Sequence, residues 1–61
     1  MNNRRKGPRT VYPLVRVHPD GDAMETEAVR RAGRLLRQPM RVVSIRLVSP
    51  EFVQYRIEED R

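Results

Sequence analysis

Residues 40–58, MRVVSIRLVSPEFVQYRIE, decide the fold. From Met40 to Ser49 the chain alternates, with Val43, Ile45 and Leu47 on one face and Val42, Ser44, Arg46 and Val48 on the other. A repeat of two residues belongs to a strand and one of 3.6 to a helix, so this segment reads as a strand. Ser49, Pro50 and Glu51 make a short turn. Phe52 to Glu58 then alternates again, setting Val53, Tyr55 and Ile57 opposite Phe52, Gln54, Arg56 and Glu58. Two alternating runs joined by a short turn predict a hairpin.

Working back from the hairpin, the period changes. Met24, Ala28, Val29, Ala32, Leu35 and Leu36 fall within an arc of about 140° at helical spacing, opposite Thr26, Glu27, Arg30, Arg31, Arg34 and Arg37. Pro19 to Asp22 form a turn, and Asp22 with Glu25 predicts a capping-box variant at the helix start. Pro39 is expected to end the helix by disfavouring helical geometry at Gln38. Gly33, on the boundary of the two faces, marks either a close approach or a weak point.

Further back, residues 10–18 alternate with Val11, Pro13, Val15 and Val17 on one face and Tyr12, Leu14, Arg16 and His18 on the other. The valine face is the expected core face. Pro13 has no ladder donor, which calls for an edge or an outward-facing amide position. Residues 1–9 are too polar to gain order by burial and read as a flexible basic arm; Glu59, Asp60 and Arg61 read as a polar tail. The expected architecture is α+β, β-α-β-β, with one amphipathic helix on one face of a three-stranded sheet, the domain spanning residues 10–58. A right-handed crossover is expected if the first two strands are parallel. One helix covers one face, so the other is left open. It carries Tyr12, Leu14, Arg16, His18, Val42, Ser44, Arg46, Val48, Phe52, Gln54 and Arg56.

Composition bounds the function classes. Sixty-one residues form one domain with a limited core, and the absence of cysteine excludes disulfides and thiolate metal sites. No run approaches a membrane span, and no apolar segment comes after the basic N-terminus as in a secretory signal. The expectation is a soluble, cytoplasmic protein. His18 with Asp20 and Asp22 offers too few ligands for zinc, and those residues are better explained as a turn and helix cap. Ser44 and Ser49 have no activating histidine-carboxylate arrangement. No catalytic role and no cofactor are expected.

Twelve residues are Arg against the single Lys6, giving a net charge of +5, and they lie in acid-free blocks at residues 1–19 and 30–50. Clustered guanidiniums attract polyanions and bind phosphate or carboxylate bidentately, although a genome bias toward arginine codons would also enrich them. Three groups are candidates for binding: an arm of Arg4, Arg5, Lys6 and Arg9; a helix row of Arg30, Arg34 and Arg37; and an open-face set of Arg16, Arg46 and Arg56 with Tyr12 and Phe52. The arm and the helix row could equally be solvated, with Glu27 pairing Arg30 or Arg31. The primary expectation is docking on nucleic acid or a nucleoprotein machine such as RNA polymerase or the ribosome. A regulator binding a host protein through the open sheet face is the alternative. A homodimer closing that face around Leu14, Val42 and Val48 is a third.

In element order the chain resembles small bacteriophage host-takeover proteins, including the T7 inhibitor of host RNA polymerase and some anti-CRISPR proteins. The stretches that carry the resemblance are Val15-Arg16-Val17, Glu27-Ala28 with Ala32, and Val42 to Arg46, within residues 10–57. Such a resemblance implies a regulator or inhibitor acting by contact with a host protein. Many of those inhibitors are acidic mimics of nucleic acid, and the basic character of this chain argues for direct contact by sheet or arm instead. Dodecins share the element order too, but no tryptophan is present for the flavin-stacking role they would imply.

Overall fold

A computed structural model describes residues 8–60. Their elements are β1 (Thr10–Val11), β2 (Leu14–Arg16), α1 (Gly21–Ala32), β3 (Met40–Ser49) and β4 (Phe52–Glu59). The fold is α+β, one helix on an antiparallel sheet, with four strands where three are expected. The difference comes from Pro13. The first strand is broken at Tyr12 and Pro13 into β1 and β2, which pair in succession with β4. Lacking an N–H, Pro13 still accepts from Tyr55 N through its carbonyl at 3.0 Å. It lies on an edge, where a missing donor is tolerated.

β4 is the central strand, with β1 and β2 on one side and β3 on the other. All pairings are antiparallel, so β2 and β3 run in the same direction with β4 between them. The core is Val15, Ala28, Ala32, Leu36, Val53, Tyr55 and Ile57, with Val11, Met24, Val29, Met40 and Val42 packed against it. Ala28 and Ala32 are the helix residues buried against the sheet, and small side chains let the helix sit close. Among the described residues no helix is long and apolar enough to cross a membrane.

Several details differ from the sequence reading. The N-cap is Asp20 rather than Asp22: its Oδ1 accepts from Asp22 N at 2.9 Å, and its carbonyl accepts from Ala23 N and Met24 N. The third helical residue is therefore Ala23, and no capping box forms. The helix stops at Ala32, well before Pro39, as Arg34 N and Leu35 N bond three residues back to Arg31 O and Ala32 O. This tightened turn exposes Leu35 and tucks Leu36 into the core. The faces of β3 also shift phase. Register breaks between Val42 and Ser44 and between Leu47 and Ser49 leave Val43 and Val48 as extra residues. Val42 consequently shares the helix-side face with its partner Ile57, and Val43, expected in the core, is exposed. Glu59 closes β4 as a buried residue rather than opening a polar tail.

Candidate nucleic-acid interface

The sheet face away from α1 is built from registered rows. Residues opposite one another in an antiparallel ladder share a face, so the pairing defines each row. Arg16, Phe52 and Ser49 form the first row, Leu14, Gln54 and Arg46 the second. Arg56 pairs with Ser44 in the third, and Thr10, Glu58 and Arg41 make the fourth. Tyr12, released from the ladder beside Pro13, joins Ser44, Arg46, Gln54 and Arg56 in lining a shallow cleft.

Charge is uneven across these rows. In the fourth, Arg41 Nη2 lies 3.1 Å from Glu58 Oε1 and is neutralised. Among the described residues Arg16, Arg46 and Arg56 form no ion pair, and no acid shares their rows. With rows about 6.8 Å apart along β4 and strands about 4.8 Å apart, Arg46 and Arg56, one row and one strand from each other, are separated by about the 8 Å screening length at physiological salt, and Arg16 stands farther off at the other end of the face. Arg16 Cζ lies 5.4 Å from the Phe52 ring centroid, a cation–π stack that orders both side chains at one end of the face. Three unneutralised guanidiniums beside two aromatic rings can contact phosphates and stack bases.

Compared with protein-family models, curated proteins and solved structures, the chain matches none.

The other candidate groups fare differently. Arg4, Arg5 and Lys6 lie outside the described residues. Arg9 is not free: its N–H donates to Glu59 Oε1 at 3.3 Å, its carbonyl accepts from Glu59 N, and its Nη1 donates to Leu35 O at 3.1 Å. The expected row of Arg30, Arg34 and Arg37 is not formed, because only Arg30 lies within α1. Arg30 is also committed to Glu27 at 2.6 Å. Arg31 shares that carboxylate at 2.9 Å and reaches across to Leu14 O at 2.7 Å, clamping α1 to β2. These two guanidiniums hold the Glu27 carboxyl below its ordinary pKa. Arg37 contributes its backbone N–H to Glu59 Oε2 at 2.8 Å.

His18 Nδ1 accepts from Asp20 N at 2.9 Å, so the histidine and both aspartates organise the turn into α1. Among the described residues no group of three or more His, Cys, Asp or Glu is placed to hold a metal. Sequence patterning identified Arg16, Arg46, Arg56, Tyr12 and Phe52 as one surface. It missed that Val42 leaves that surface and that β3 carries an exposed apolar edge. The first depends on a bulge, for which the alternating sequence has no marker, and the second on α1 packing over β2 and β4 and leaving Ile45 and Leu47 uncovered.

Proposed function

We propose that this chain is a non-enzymatic cytoplasmic binding protein that docks on nucleic acid, free or within a nucleoprotein machine such as RNA polymerase or the ribosome. The observation that carries the reading is the open sheet face, where Arg16, Arg46 and Arg56 stand unneutralised among Phe52, Tyr12 and Gln54. Arg4, Arg5 and Lys6 precede the domain and add charge that can follow a phosphate backbone. Binding of a labelled single-stranded RNA, followed by anisotropy across a salt series, tests this. Removing one arginine that neutralises a phosphate should reduce the log–log salt slope by about 0.7, so Arg46→Ala with Arg56→Ala should flatten it by about 1.4. Affinity that ignores salt, or a slope unchanged in the double variant, would sink the proposal.

A second reading uses the same face against a host protein, as in the phage regulators the chain resembles. It is favoured by the Arg16–Phe52 stack next to exposed Leu14 and Tyr12, since aromatic residues and Arg are enriched at protein interfaces. Under this reading Phe52→Ala abolishes binding to the protein, whereas nuclease treatment and loss of residues 1–6 leave it intact.

A further inference from the structure

β3 is the longest strand and lies on an edge, paired among the described residues with β4 alone. Four of its large apolar side chains are exposed: Val43 at 40%, Ile45 at 56%, Leu47 at 66% and Val48 at 48%. Ile45 and Leu47 share the helix-side face with buried Tyr55 and Val53, but α1 packs over β2 and β4 and leaves them uncovered. A long apolar edge is a template for another strand, and soluble proteins usually blunt it. The opposite edge is blunted. β1 and β2 have two and three residues, with Pro13 between them.

We propose that β3 pairs antiparallel with β3 of a second copy, about a two-fold axis at Ile45, joining the two sheets edge to edge. This register sets Ile45 against Ile45, Val43 against Leu47 and Ser44 against Arg46. Apolar side chains meet apolar ones, and each guanidinium faces a hydroxyl. Centring on Arg46 would instead oppose two cations, which is unfavourable directly across a ladder. The bulges at Val43 and Val48 flank Ile45, so the strands meet in the middle and bend apart toward their ends. With one usable edge among the described strands the contact is isologous and closes as a dimer rather than running on as a fibre. Pairing would also place Arg46 and Arg56 of both copies on one continuous face. The contact itself depends only on the sheet edge and would stand whatever that face binds.

The chain has no cysteine, so Ile45→Cys creates a single thiol at the proposed axis. Directly opposed residues in an antiparallel pair have Cα atoms about 4.5–5.5 Å apart, within disulfide reach. Oxidised Ile45→Cys should therefore cross-link to a covalent dimer, whereas Leu35→Cys, at an exposed position after the helix, should cross-link only at the rate of random collision. Sedimentation equilibrium of the unmodified chain from about 1 to 500 µM should show its mass rising toward twice the monomer value. Ile45→Lys should halve the mass at the top of that range with an unchanged circular dichroism spectrum. A monomer throughout the range, or equal cross-linking at positions 35 and 45, would overturn the proposal.

Discussion

Glu59 is a buried carboxylate, 5% exposed, in a chain whose other acids are largely solvated. Its two oxygens accept from the backbone N–H groups of Arg9 and Arg37, tying the segment before β1 and the turn after α1 to the central strand. Removing the acceptor leaves two part-buried backbone donors without their partner. Glu59→Ala should therefore lower stability by about 1–2 kcal/mol, and Glu59→Gln, which keeps one acceptor oxygen, by about half of that. Urea denaturation measures both; equal losses in the two variants would mean that charge, not hydrogen bonding, is what matters there. In the sequence the run Glu58, Glu59, Asp60 looks solvated throughout. The donors that bury Glu59 lie 50 and 22 residues away, so local composition holds no trace of them.

Among the elements, α1 shows how an amphipathic pattern can outrun its helix. The apolar spacing continues to Leu36, yet helical bonding gives way at Gly33, whose own N–H still bonds back to Val29 O at 2.9 Å. Gly33 has φ of −63°, an ordinary right-handed value, and a Cβ there would meet Val29 O at 3.4 Å and Met40 Cε at 3.8 Å. Those are normal contacts, so Gly33 is a weak point and not a demanded close approach. Gly33→Ala should raise stability by about 0.5–1 kcal/mol, mainly by restricting the unfolded chain. A lower midpoint in thermal unfolding would show instead that Met40 cannot yield. The hairpin makes the complementary point. Alternation located both of its strands, but a bulge is one extra residue with no distinct composition, and each bulge reverses the faces of the residues beyond it.

For the whole molecule, stability should depend on pH through the groups that the fold holds away from their ordinary behaviour. Burial, with the charge of Glu25 adding to it, raises the Tyr55 phenol above its ordinary value of 10.0. A raised acid favours the neutral form in the folded state. The stabilisation is thus full below the unfolded pKa and is lost as the unfolded chain ionises above it. Denaturation midpoints should fall with rising pH above about 10, and Tyr55→Phe should flatten that limb. At the acid end the sign reverses for Glu27, whose lowered pKa stabilises the fold above the usual carboxylate range and ceases to do so as pH falls. Its pairs with Arg30 and Arg31 are solvent-exposed, so the acid limb should be shallow.

Arginine spacing gave three possible working groups, and the fold sorted them. Arg30 and Arg31 are spent on Glu27 and Leu14, Arg9 is bound to Glu59 and Leu35, and among the described residues Arg16, Arg46 and Arg56 stand on the open face in rows that hold no acid. Period and polarity, which act over a few residues, were enough to determine the α+β class, the helix, the hairpin and the membership of most of the open face, and narrowed Pro13 to an edge or an outward-facing amide position. Tertiary structure alone decided which strand is central, where the helix stops, which faces of β3 the bulges reverse and which charges are neutralised. Those features arise from contacts between residues far apart in the chain, and their energies depend on geometry that no local pattern encodes.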